Sequence, residues 1–321
     1  MRNGYFGIIR SIGIVIGITL IFNLVGEVIL ASIYGTHIKD GSPTVLIIVN
    51  SIAQIAMMLG VPILIVRAGG HNFFESFRLE GMSETKFSVH LIAIPIIAVG
   101  QVVGTGIAAL WTIALQQFPD LYKSLDSFQQ MVEETMKGLT TAHSPMQITV
   151  LLFGVAIVPA FAEESFFRGF IQTNIERSGK GRSRPIIALI VTSLLFAAVH
   201  LSPLNFPGLL VLGLLLGWLA YRTCDLRVSA LAHAFNNGII VVLIYILKDN
   251  SDFVQNLTET NTQSAGDTLG QLGVSVPILF GLLYLFQKMT EPLQARHHAD
   301  LVIEHYNYSE TDNTSSEITD E

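Results

Sequence analysis

The chain is poor in cysteine and in charge. Its one cysteine, Cys224, excludes an internal disulfide and any metal site built from several thiolates. A lone thiol at the end of an apolar segment is more often inert packing than a nucleophile. Charged residues make up 13% of the 321 positions, far below the roughly 25% of a soluble domain, which excludes an ordinary water-soluble fold. Neither a GxxxxGK[ST] phosphate loop nor an HExxH zincin helix is present. No internal repeat and no second globular domain can be found. The formal charge of -7 resides in loops and tail, and no nucleic-acid partner is expected.

What remains is apolar: half of all residues, with a mean hydropathy of +0.54. Stretches of about 17 to 25 such residues read as membrane spans. They fall near 8-34, 43-66, 88-117, 147-176, 185-202, 207-223, 227-247 and 273-290. The expected fold is all-α, a polytopic membrane protein of about eight transmembrane helices with its site inside the bundle. The first span is too long for a signal-peptide core and no Ala-x-Ala follows it, so it reads as an uncleaved anchor. With the N-terminus inside, 14 of the 18 Lys and Arg residues lie on the inner side, and only Lys39, Lys123, Lys137 and Lys248 lie outside. A multi-pass protein of the cell membrane with both termini cytoplasmic is therefore expected.

Four regions follow. Residues 1-146 hold the first three spans and an outer loop, 118-146, whose stretch Leu125, Phe128, Met131, Val132 and Met136 forms one apolar face beside Glu133 and Glu134. That stretch is expected to lie on the membrane surface. Residues 147-247 carry spans four to seven and the polar clusters. Residues 248-290 comprise a polar loop (248-272) and the last span, and the acidic tail 291-321 has the composition of a disordered segment. The basic turn from Arg177 to Arg184 is expected to lie against anionic lipid.

Three polar clusters interrupt spans four, five and seven. Charged, imidazole and amide groups in hydrocarbon cost several kcal/mol each unless paired or facing a wet cavity, so together they suggest one site. Glu163 and Glu164 are adjacent and point about 100° apart on a helix, so they cannot share one task. Arg168 lies one turn after Glu164, in the favourable i,i+4 order for an ion pair, which leaves Glu163 as the base. The opposite assignment is the alternative. Phe196 stacks under His200 at the same spacing, and His233 precedes Asn237 by one turn. A carboxylate, two imidazoles and an amide suffice for amide hydrolysis by water: Glu163 moves the proton, His200 positions the water, and His233 with Asn237 donates to the oxyanion.

At these residues the chain resembles the CPBP (CAAX protease and bacteriocin-processing, or Abi) intramembrane proteases, which include the type II CAAX prenyl endopeptidases. Their EExxxR, FxxxH and HxxxN patterns stand here as Glu163-Glu164-Ser-Phe-Phe-Arg168, Phe196-Ala-Ala-Val-His200 and His233-Ala-Phe-Asn-Asn237, in order. The resemblance covers roughly 147-240. It implies an endopeptidase cutting near the C-terminus of a membrane-anchored protein or peptide, with the first glutamate as base, both histidines and the asparagine lining the site, and Arg168 and Phe196 in structural support. The family is often labelled metalloprotease, and His200, His233 and Glu163 could form a zinc set. A metal-free, glutamate-activated water is favoured, because an asparagine suits an oxyanion donor better than a ligand. The rival classes are a proton- or ion-coupled transporter and a silent scaffold or immunity protein.

Depth poses a constraint. Counted from the inner side at 1.5 Å per residue, His200 lies about 24 Å along span five but His233 only about 9 Å along span seven. One site therefore requires the link Pro203-Leu-Asn205-Phe-Pro207 to be sunk into the protein. Asn23 and Glu27, on one face of span one, are expected to bond between helices.

Overall fold

The computed structural model describes residues 6-34, 42-140, 144-178, 183-247 and 264-317, with side chains described outside 132-140 and 294-317. Every long element among them is helical. In chain order these are α1 (Ile8–Tyr34), α2 (Pro43–Ala68), α3 (Phe87–Leu115), α4 (Pro119–Thr140), α5 (Pro145–Arg177), α6 (Arg184–Val199), α7 (Phe206–Thr223), α8 (Leu226–Ile246) and α9 (Ala265–Glu317). Seven are long and apolar enough to cross a membrane, and α6, at 16 residues, is a shorter apolar helix. The protein is thus an all-α polytopic membrane protein, close to the eight spans expected. Two ends differ. Span five stops at Val199, and the last helix runs from Ala265 through the acidic stretch to Glu317, where disorder was expected. A helix already nucleated adds one hydrogen bond per further residue, so the polar segment continues it. Residues 248-263 of the polar loop lie outside the described residues.

Helix α3 is central, packed against α7, α8 and α9, while α6 packs on α7. Glycines allow the closest contact. A Cβ on Gly104 of α3 would lie 3.1 Å from the Gly208 carbonyl oxygen of α7, so the two backbones touch. Helix α1 lies at the edge, against α2 and α6, with Ser11, Val15 and Ile18 buried. Its Asn23 and Glu27 are exposed, and Asn23 donates to Thr19 of its own helix, so the expected interhelical bond is absent for it.

Pro62 and Pro159 lie within spanning helices, and each follows a π-helical turn, Ile55–Gly60 and Leu152–Ile157. A proline ring removes one N–H and collides with the carbonyl four residues back, and a widened turn accommodates both effects. A third π segment, Ser165–Gln172, follows Glu164 directly. The Glu163-Glu164 pair is therefore framed by two wide turns.

The link after α6 is partly covered. His200 ends α6, and Leu201 takes a left-handed conformation (φ 51°) that turns the chain. Pro203 accepts from Trp111 Nε1 at 3.2 Å, Ser202 donates to Gln129 of α4 at 2.9 Å, and Leu204 is buried. Gly208 meets Gly104, about 16 Å short of the end of α3 at 1.5 Å per residue. The link expected to be sunken is thus partly covered, by α4 and by Trp111 of α3, with Leu204 buried and its neighbours half-buried. Gln129 is the residue that α4 buries there, while Phe128 and Met131 of the expected apolar face are exposed.

Opposite this end, the segment between α2 and α3 clasps the turn between α7 and α8. Arg78, buried and left-handed (φ 52°), accepts at its carbonyl from Leu226 N–H at 2.9 Å, and Gly81 N–H donates to Cys224 at 3.0 Å. The Arg78 guanidinium pairs with Glu176, and Arg177 with Glu75 (2.5 Å) and Glu80 (2.8 Å). Arg177 thus turns to protein carboxylates rather than to lipid as expected, because half-buried acids lie within its reach; residues 179-182 of that basic turn lie outside the described residues. Burial pushes the Cys224 thiol up to about 12. At pH 8 the thiolate fraction is then about one in ten thousand. Cys224 in the folded, detergent-solubilised protein is expected to resist maleimide at pH 8 over an hour and to label fully after denaturation; rapid labelling of the folded protein would contradict this burial.

Candidate active site

Five helices supply the site. Helix α5 brings Glu163, Glu164 and Arg168, α6 brings Phe196 and His200, α8 brings His233 and Asn237, α2 brings Gln54, and α7 contributes backbone. Arg168 is fully buried. One of its terminal nitrogens lies 3.4 Å from Glu164 Oε1, the other donates to the Gly213 carbonyl of α7 at 3.3 Å, and the guanidinium lies 4.3 Å over the Phe196 ring. A turn later Gln172 donates to Gly217 of α7 at 3.3 Å. A Cβ at Gly217 would lie 3.0 Å from Gln172 Oε1, so glycine there gives the Gln172 side chain room.

Glu164, also fully buried, is engaged a second time: its Oε1 accepts from His233 Nδ1 at 3.0 Å. A carboxylate only accepts, so Nδ1 of His233 carries the proton and Nε2 faces onward. Phe196 is the hub. Its ring centroid lies 4.5 Å from that of His200, 5.9 Å from His233 and 5.5 Å from Phe167. His200 Nδ1 donates to the Phe196 carbonyl at 2.6 Å, so the Nε2 of the neutral ring is an acceptor. Both imidazoles are thereby oriented through Nδ1 and offer Nε2.

Glu163 is half-buried and, among the described residues, makes no salt bridge of its own. Its Oε1 accepts from Gln54 Nε2 at 2.9 Å, and its buried Oε2 has no partner among the described residues. Asn237 donates from Nδ2 to the Val155 carbonyl at 3.4 Å. Val155 is four residues before Pro159, whose missing N–H leaves that carbonyl without its α-helical donor. The asparagine therefore mends α5 with one amide hydrogen and keeps the other.

The structure thus links Glu164, Arg168, Phe196, His200 and His233 in one chain of contacts, with Glu163 and Asn237 on adjoining turns. Among the described residues no group of three or more His, Cys, Asp or Glu side chains is placed to hold a metal ion. His200, His233 and Glu163 are not gathered as a ligand set. Gln54 escaped the sequence reading. The available signal was one of two amides in the apolar run of α2, Asn50 and Gln54, of the same kind as Asn23 in α1.

Fold and site together define a membrane-embedded helical protein with a buried carboxylate, imidazole and amide centre. Residues 145–239, which hold all three motifs, match the family model of the type II CAAX prenyl endopeptidase Rce1-like proteins, and over that segment the chain is similar to the CAAX protease family. The searches of curated proteins and of solved structures gave no match.

Removing one partner of a buried ion pair strands the other charge and typically costs about 3–5 kcal/mol. Arg168→Met is expected to lose about that much in reversible unfolding in mixed micelles, and adding Glu164→Gln should recover a large part. Wild-type stability of Arg168→Met would show that the pair does not hold the bundle.

Proposed function

We propose that the protein is an intramembrane endopeptidase that hydrolyses a peptide bond near the C-terminus of a membrane-anchored protein or peptide, using a water activated by Glu163. The observation that carries this reading is the division of labour between adjacent glutamates: each keeps one oxygen without a partner, but Glu164 is held through the other by Arg168 and His233, whereas Glu163 is met only by the neutral amide of Gln54 among the described residues. The family match over residues 145–239 supports the reaction class.

Glu163 takes a proton from water while neutral His200 accepts the second O–H at Nε2. The oxygen attacks the scissile carbonyl carbon, and the carbonyl electron pair moves onto its oxygen. Asn237 Nδ2 donates its free hydrogen to that oxyanion, and His233 is the second donor, through Nε2. Collapse breaks the C–N bond, and the proton held by Glu163 passes to the departing nitrogen. Peptide and water become a carboxylic acid and an amine, with no metal step. The lysine and arginine distribution supports a cell-membrane protein with both termini cytoplasmic. A bilayer-resident peptide or membrane protein is the favoured substrate, since the small outer loops leave specificity to the membrane interior.

Purified protein is expected to cleave members of a panel of membrane-anchored peptides. Glu163→Gln should cleave them about 10²- to 10⁴-fold more slowly, the range attributed to a general base. A chelator should change neither rate. Undiminished cleavage by Glu163→Gln would end the base assignment, loss of wild-type cleavage with chelator would make the enzyme metal-dependent, and full cellular function of Glu163→Gln would favour a scaffold.

A further inference from the structure

Gln54 has no place in the three motifs, yet it touches the proposed base. It lies on α2, at the end of the α-helical stretch Pro43–Gln54 and directly before the π turn Ile55–Gly60. Its side chain is 5% exposed. Burying an amide in an apolar helix is unfavourable unless it is bonded, and its bond is to Glu163 at 2.9 Å, from a residue 109 positions away in the chain. The sense of that bond is fixed by chemistry: an ionised carboxylate only accepts, so the amide must present Nε2, and the reversed amide would set two acceptors against each other. Gln54 Oε1 and Glu163 Oε2 are then left as buried acceptors without partners among the described residues.

Among the described residues Glu163 forms no salt bridge, and the Arg168 charge reaches it only at longer range. Arg168 is taken by Glu164, so the donor from α2 is what fixes the direction of the Glu163 carboxylate. Two wide turns converge at this contact, one beginning at Ile55 next to Gln54 and one at Ser165 just beyond Glu164. Such turns are common where a helix must re-aim a side chain at a functional site.

We propose that Gln54 is a positioning residue of this enzyme: by donating from Nε2 to Glu163 Oε1 across α2 and α5 it orients the base and leaves Oε2 as the oxygen that takes the proton. This rests on the reading of Glu163 as base. Gln54→Leu removes the donor and suits the apolar helix, so folding survives. Gln54→Glu places an acceptor against an acceptor.

The first readout is infrared. The Glu163 carboxylate stretch is taken as the difference between wild type and Glu163→Gln at one pH, and again in the Gln54→Leu background. The band is expected to move between the two backgrounds because its hydrogen-bond donor is gone; an unmoved band overturns the proposal. The second is kinetic, with the panel peptide cleaved fastest by the wild type. Gln54→Leu and Gln54→Glu should lower kcat about ten- to a hundredfold and leave KM within about twofold, the pattern of a lost charge-assisted bond that acts on the reacting step. Wild-type kcat in Gln54→Leu beside an inactive Glu163→Gln would overturn the positioning role alone. Full activity of Glu163→Gln would remove the base itself, whatever the band does.

Discussion

A guanidinium with no exposure to solvent has to be neutralised and hydrogen-bonded where it stands, and the arrangement around Arg168 follows from that requirement. Its charge is met by Glu164, a further hydrogen goes to the Gly213 carbonyl, and its flat face rests on Phe196. These partners come from α5, α7 and α6, so a single ion ties three helices at one depth. Glu164, once fixed, fixes His233 on α8. Lysine could not substitute, because a point charge has neither the fork nor the face that the three partners use.

The same rule, that polar groups buried in a bilayer must find partners, explains details that hydrophobic packing does not. Pro159 strips an α-helical donor from the α5 ladder, and Asn237 donates to the Val155 carbonyl four residues before it. Pro203 in the link after α6 accepts from Trp111, and Ser202 reaches Gln129 on the covering helix α4. Asn237 and His233 each anchor to the helices through one side-chain atom, to the Val155 carbonyl and to Glu164 respectively.

Much of this was legible in the sequence because spans and motifs depend on local spacing. Apolar run length located the spans, and i,i+4 spacing placed Glu164 with Arg168 and Phe196 with His200. The depth mismatch between His200 and His233 even required a sunken link, which α4 and Trp111 partly cover. Contacts with no periodic signature were not legible. Gln54 meets Glu163 across 109 positions, and nothing in α2 marks that amide as different from any other polar residue in a span. The clasp of Arg78 around the α7–α8 turn depends on two left-handed non-glycine residues, Arg78 and Cys224, which pattern reading gives no reason to expect. Arg177, read as a lipid contact, is captured by Glu75 and Glu80 because the neighbouring loop folds onto it.

The shortness of α6 bears on the lipid around it. At 1.5 Å per residue its 16 residues reach about 24 Å, against a hydrocarbon thickness of about 30 Å. Its outer stripe of Ile186, Ile190 and Leu194 is exposed to acyl chains, and Leu201 just past its end is exposed too. Hydrophobic mismatch of this kind is relieved by local thinning of the bilayer. Thinning beside α6 would draw the headgroup region towards His200 at the end of the short helix. A bilayer thinned on that side would bring water towards the buried polar cluster from the lipid, with no need of a pore through the protein.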